Sequence, residues 1–112
     1  MDIDIEHSGE VAVVILPGEY LDAHNVKAMK EHLLGILQTH TQAVFDLTHL
    51  RFIDSSGLGA ILSCLRQVSD AGGDLKLCGL SQPVRSLFEL VRMHRIIEVY
   101  NTKEEALQAF HG

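Results

Sequence analysis

Short apolar runs set between segments of helical period constrain this chain more than any other feature. Val11-Ala-Val-Val-Ile-Leu16 and Ala43-Val-Phe-Asp-Leu47 are brief, apolar and rich in β-branched or aromatic residues. Runs of that length and type read as buried strands. Between them Val26, Met29, Leu33, Ile36 and Leu37 recur at helical spacing, with Lys27, Lys30 and Glu31 opposite, predicting a helix over about Ala23 to Thr39. Strands alternating with helices point to parallel pairing, because a parallel connection needs a crossover long enough to hold a helix.

The same reading extends to both ends. Asp2-Ile-Asp-Ile-Glu6 alternates with period two, Ser8-Gly9 is a turn signal, and the two opening strands form a hairpin whose second strand lies deeper. Pro17-Gly18 ends it. A second helix is expected from about Ser56 to Ala71, with Leu58, Ile61, Leu62, Leu65 and Val68 as its apolar stripe and Gly72-Gly73 as its stop. Leu75–Cys78 is a further strand. Ser81 and Pro83 open a third helix carrying Val84, Leu87, Phe88 and Val91. Ile96–Val99 reads as a last short strand, and Thr102-Lys-Glu-Glu105 is a capping box that starts a final helix through Phe110. The expectation is an α/β sandwich in one domain, residues 1–112: an N-terminal β-hairpin, then alternating helices and strands. The mixed, mostly parallel sheet has four or five strands, packed with about four helices.

Charge narrows the function. Nine Lys+Arg against fifteen Asp+Glu give a net charge of −6, the wrong sign for nonspecific nucleic-acid binding. Residues 1–50 hold two basic and eight acidic residues, and residues 51–112 hold seven of each. An acidic face is therefore expected on elements from the first half, where it serves solubility or steers a basic partner. Cys64 and Cys78 lie in apolar surroundings with no Cys-x-x-Cys pair, so buried reduced thiols are expected. The start lacks the basic and apolar regions of a signal peptide, and no apolar run reaches the roughly 20 residues of a membrane span. A soluble, cytoplasmic protein without membrane association is expected.

Most enzymatic and metal motifs are absent. The seven histidines (His7, His24, His32, His40, His49, His94 and His111) show no i, i+4 pair and no His-Glu-x-x-His. No Gly-x-Ser-x-Gly elbow accompanies Asp46 and Asp54, and no Gly-rich phosphate cradle is present. No metal, cofactor or catalytic residue is assigned. Arg85, Glu89 and Arg92 fall at i, i+4, i+7 and read first as a solvated helix face, with a contact patch near His94 and Arg95 as the second reading.

One stretch does concentrate chemistry: Asp46-Leu-Thr-His-Leu-Arg-Phe-Ile-Asp54-Ser55-Ser56-Gly57-Leu58-Gly59. A buried strand ends, a loop crosses over, and a serine pair opens an amphipathic helix. Loops leaving the carboxyl ends of parallel strands are where ligands and partners act. Ser55 or Ser56 is placed to cap that helix, while Gly57 and Gly59 allow close backbone approach.

This segment, with the Gly18-Glu19 turn, the Asp46-Leu47 strand end, the Gly72-Gly73 break and the Pro83-Val84 to Val91 helix, resembles the STAS domain. That domain occurs in bacterial anti-sigma factor antagonists and in the cytoplasmic tails of sulfate transporters, and the likeness covers nearly the whole chain. The resemblance implies a non-enzymatic binding module that, when unphosphorylated on Ser55, sequesters an anti-sigma factor that is also a serine kinase and so frees a sigma factor. A PP2C-type phosphatase restores the binding form. Ser56 is the competing acceptor. Asp22, Asp54, Ser55, Ser56 and Gly57 form the implied partner-binding set. Asp22 matches the aspartate of the family's Gly-x-Leu-Asp, although Gly18-Glu19-Tyr20-Leu21-Asp22 carries one extra residue.

Phosphate chemistry suits such a switch. It would add about −1.5 to −2 charges beside Asp54, and disrupting a buried polar contact commonly costs roughly 2–5 kcal/mol. The helix N-terminus returns only about 0.3–1 kcal/mol, so the fold survives while the complex does not. Two other readings of the loop stand beside it. One is a constitutive STAS scaffold subunit of a signalling or lipid-transport complex, with Ser55 only a cap. The other is a small-molecule or nucleotide-binding enzyme using the Asp54–Gly57 loop.

Overall fold

The computed structural model describes residues 2–111. Strand β1 (Asp4–Ser8) turns at Gly9, whose φ of +62° suits a tight hairpin, and pairs antiparallel with β2 (Val11–Ile15). β2 then pairs parallel with β4 (Gln42–Asp46), β4 with β6 (Asp74–Cys78), and β6 with β7 (Val99–Tyr100). The mixed five-stranded sheet therefore runs β1-β2-β4-β6-β7, with the single antiparallel strand on one edge as the hairpin predicted. β2 is the deeper hairpin strand, its first four residues fully buried.

Three helices cover one sheet face: α1 (Val26–Leu37), α2 (Ser55–Asp70) and α3 (Gln82–Leu90). Their buried positions include Met29, Leu33, Leu37, Ile61, Cys64, Val68, Val84 and Phe88. These meet Val14, Ala43, Phe45, Leu75 and Leu77 in one aliphatic core. Each fully buried side chain of this size contributes roughly 1.5–3 kcal/mol. α4 (Lys103–His111) covers the opposite face, where Ala106, Leu107 and Phe110 close over Val11, Val13, Val44 and Cys78. The capping box forms as its sequence demands. The Glu105 amide donates to the Thr102 hydroxyl at 3.1 Å, and the Thr102 amide to the Glu105 carboxylate at 3.0 Å.

Lys76, the one buried charged residue among those described, lies on the α4 face. Its ammonium donates to Asp74 at 3.0 Å and to Glu98, 4.7 Å above the Phe110 ring. Burial opposes its charge, but the two carboxylates prevail and hold its pKa above the ordinary lysine value.

The structure departs from the sequence reading at several places. α1 begins at Val26 rather than Ala23, because residues 22–25 form a hydrogen-bonded turn instead. Leu62 and Leu65 are only half-buried, and the deep face of α2 is Gly57, Leu58, Ala60, Ile61, Cys64 and Val68. α3 ends at Leu90, where Arg92 enters the left-handed region (φ +63°). Val91 thus stays exposed, and Arg92 leaves the Arg85–Glu89 face. Ile96–Glu98 is not strand: residues 93–95 form a short 3-10 turn, and pairing begins only at Val99. In addition, β3 (Tyr20–Leu21) and β5 (Phe52–Ile53) pair parallel in a separate two-stranded sheet. No described helix is long and apolar enough to cross a membrane.

Candidate functional site

The small β3–β5 sheet brings the loop before α1 against the N-terminus of α2. The Glu19 carbonyl accepts the Arg51 and Phe52 amides at 2.8 and 3.0 Å, and the Leu21 carbonyl accepts the Asp54 amide at 3.2 Å. Gly18 turns with φ +83°, and Tyr20-Leu21 becomes strand before the chain reaches Asp22.

Asp54 is the hub. Extended (φ −109°, ψ −174°), it is the N-cap of α2. Oδ1 accepts the Gly57 amide at 3.0 Å and the Ser56 hydroxyl at 2.5 Å, while Oδ2 accepts the Ala23 amide at 3.1 Å. The Ser56 hydroxyl, then the Gly57 amide, favour the carboxylate and hold it below the ordinary 3.8, against partial desolvation. The expectation that a serine caps α2 is corrected, since the aspartate has that place. Ser56 is committed to Asp54. Ser55, the first helical residue, is exposed, and its hydroxyl has no hydrogen-bond partner among the described residues.

Gly57 meets its expectation and Gly59 does not. A Cβ on Gly57 would lie 2.6 Å from the Leu21 carbonyl oxygen and 2.7 Å from Ile53 Cγ1, so only glycine lets α2 approach β3 this closely. A Cβ on Gly59 would meet nothing within 4 Å.

Asp22 shapes the neighbouring loop. Its Oδ1 accepts the His24 amide at 3.0 Å, and its carbonyl accepts the Asn25 and Val26 amides at 3.2 and 2.9 Å. Asn25, the N-cap position of α1, accepts the Asp22 amide at Oδ1 (3.0 Å) and donates from Nδ2 to the Tyr20 carbonyl at 2.7 Å. Asp22 and Asp54 thus belong to one hydrogen-bonded surface through Ala23. Asp46 serves another turn, accepting the Thr48 amide at 2.9 Å and the Thr48 hydroxyl.

Sequence reading missed Tyr20 and Phe52. They are cross-strand partners, 56% and 49% exposed, on the two short strands that lead into Asp22 and into the Asp54 cap. Strands of two residues are too short for a periodic signal, so only the unusual placement of two aromatics beside polar loops marked them.

Chemistry elsewhere is sparse. Desolvation pushes the Cys64 and Cys78 thiols up to about 12, so both stay neutral and inert. His7 and His40 stack with ring centroids 5.4 Å apart. Among the described residues no three His, Cys, Asp or Glu side chains gather as metal ligands.

Comparison with known proteins agrees with this geometry. The family profile of the STAS domain matches residues 2–106. An anti-sigma F factor antagonist of Paenibacillus polymyxa is 31% identical over 109 residues, covering 96% of this chain and 92% of that protein. The anti-sigma factor antagonist SpoIIAA in its unphosphorylated form superposes with a TM-score of 0.77 at 28% identity, covering 99% and 97% of the two chains. The phosphorylated form of the Bacillus cell-fate determinant SpoIIAA gives 0.69 at 25% identity, over 97% and 99%.

Proposed function

The chain belongs to the STAS-domain family, and from that premise we propose that it is an anti-sigma factor antagonist switched by phosphorylation of Ser55. The observation that carries this reading is the division of labour between two adjacent serines. Ser56 is bonded to Asp54 at 2.5 Å, whereas Ser55 is exposed with a free hydroxyl. A kinase needs an accessible hydroxyl, and of this pair Ser55 offers one without disturbing the cap.

On this reading the unmodified protein binds an anti-sigma factor that is also its serine kinase. The docking surface comprises Asp22, Asp54, Ser55, Ser56 and Gly57, with Tyr20 and Phe52 as apolar anchors. Exposed aromatic side chains on a polar rim are the usual composition of energetic centres in interfaces. Phosphate on Ser55 would place about −1.5 to −2 charges beside the ionised Asp54. Any surface shaped to the neutral hydroxyl would then face a desolvated dianion, which typically costs roughly 2–5 kcal/mol. The N-terminus of α2 favours the added anion, so the domain itself remains folded. A PP2C-type phosphatase resets the switch, and the cycle runs in the bacterial cytoplasm. The protein is the substrate of these enzymes and performs no chemistry of its own.

The test is peptide mass spectrometry of protein isolated in several growth states, joined to partner capture with Ser55→Asp and Ser55→Ala. A single phosphate on Ser55 that comes and goes, with capture lost in Ser55→Asp and kept in Ser55→Ala, is the expected result. Unchanged capture by Ser55→Asp would sink the switch and leave a constitutive scaffold of a signalling or lipid-transport complex. Stabilisation by nucleotides in a thermal-shift screen would instead point to a ligand-binding enzyme.

A further inference from the structure

The first half of the chain is acidic, yet its only two basic residues stand together. Lys27 and Lys30 on α1 line a groove against α2, where Arg66 is the third cation. None of the three makes an ion pair among the described residues, where the pairs formed involve Lys76 and Lys103. The groove has a volume of about 540 Å³, lies open along its length, and includes Val26, Ala60 and Leu62 as apolar lining. On α2 its wall runs from Ser56 to Arg66, about 15 Å at a rise of 1.5 Å per residue. It therefore begins one residue from Ser55.

Three unpaired cations around an apolar floor, in a protein of net charge −6, make this groove a favourable seat for acidic groups from outside. An open trough three helical turns long suits a chain segment better than an enclosed small molecule. We propose that this groove receives an acidic, amphipathic segment of the protein partner, its carboxylates on Lys27, Lys30 and Arg66 and its apolar side chains on Val26, Ala60 and Leu62. This deepens, and rests on, the reading of the Ser55 surface as a partner-binding site. The partner is thereby assigned a chemical character. It presents an acidic amphipathic element beside the pocket that accepts Ser55, and that element fixes its direction along α2.

The probe is a synthetic amphipathic helix of Glu, Ala and Leu, titrated into the full-length ¹⁵N-labelled protein. The same helix with Lys for Glu, inorganic phosphate and ATP form separate arms. Saturable amide shifts confined to residues 26–30 and 56–66, weakened by salt, are expected with the Glu helix alone. Lys30→Glu with Arg66→Glu should weaken that binding about tenfold or more, the scale of two exposed attractions turned to repulsions. The milder Lys30→Gln with Arg66→Gln should lie between, which guards against a misfolded reversal variant. Equal shifts with the Lys helix, no saturable shift with the Glu helix, or the same shifts with phosphate or ATP would each overturn the proposal. A groove indifferent to acidic helices would leave phosphorylation of Ser55 untouched, so the two readings fail separately.

Discussion

The carboxylate of Asp54 holds the amide of Ala23 at 3.1 Å, joining segments 31 positions apart. The cap of α2 is therefore also the clasp that positions the loop of Asp22. Asp54→Asn keeps the shape and one acceptor but loses the charge that both amides and the Ser56 hydroxyl favour. Because the folded-state pKa lies below the ordinary 3.8, the unfolded state binds more protons in that range. Stability should rise with pH through the window at and below 3.8 and be lost as pH falls through the folded value. Urea unfolding from about pH 2 to about pH 5 should show a shallower acid limb for Asp54→Asn than for the parent. Parallel acid limbs would mean that the clasp carries no differential charge.

The glycines of α2 should respond in opposite directions to alanine. Gly57→Ala gains up to about 1 kcal/mol of helix propensity. It also drives a Cβ to 2.6 Å from the Leu21 carbonyl oxygen, a backbone atom that cannot turn aside. Overpacking of this kind typically costs about 1–3 kcal/mol, so net destabilisation should win. Gly59→Ala meets open space and should stabilise by about 0.5–1 kcal/mol. Equilibrium denaturation of both variants reads the two signs directly.

These contrasts show which parts of the site a sequence can carry. The hairpin, the parallel order and the capping box were legible because each rests on local period or on reciprocal side-chain chemistry at fixed spacing. The choice of Asp54 over a serine as cap was not. It depends on β5 ending against β3, a pairing of two-residue strands that leaves no periodic trace. The early end of α3 was hidden for a similar reason. Val91 continues the apolar spacing, but Arg92 takes a left-handed backbone that arginine rarely adopts. Ser81 does open α3 as its N-cap residue, but its hydroxyl leaves the helix amides and donates to the Leu50 carbonyl at 3.0 Å, a tertiary bond to a loop 31 positions earlier that the sequence does not signal.

Tyr20 and Phe52 separate binding from folding. As an exposed cross-strand pair they contribute roughly 0.2–1 kcal/mol to the fold. As anchors of a docking surface they should cost more than about 1 kcal/mol of affinity each. Tyr20→Ala and Phe52→Ala should therefore unfold near the parent midpoint while losing most of their capture of the Ser55-dependent partner. Equal capture by parent and variants would move the energetic centre of the interface off this sheet.

Ile61 and Leu62 adjoin on α2 yet face different surroundings. Ile61 is wholly inaccessible and packs into the main core, whereas Leu62 is half-buried and lines the groove toward α1. The spacing of apolar residues puts both on the stripe, but burial decides the cost of truncation. Ile61→Ala removes buried methyl groups whose space the close-packed sheet cannot fill, and should cost about 2–5 kcal/mol. Leu62→Ala loses part of that transfer term and leaves no closed cavity, so a cost of about 1 kcal/mol is expected. Urea midpoints at constant slope measure the difference. Equal costs for the two variants would mean that the groove closes over Leu62 in solution. The acidic segment assigned to that groove would then have no trough to occupy.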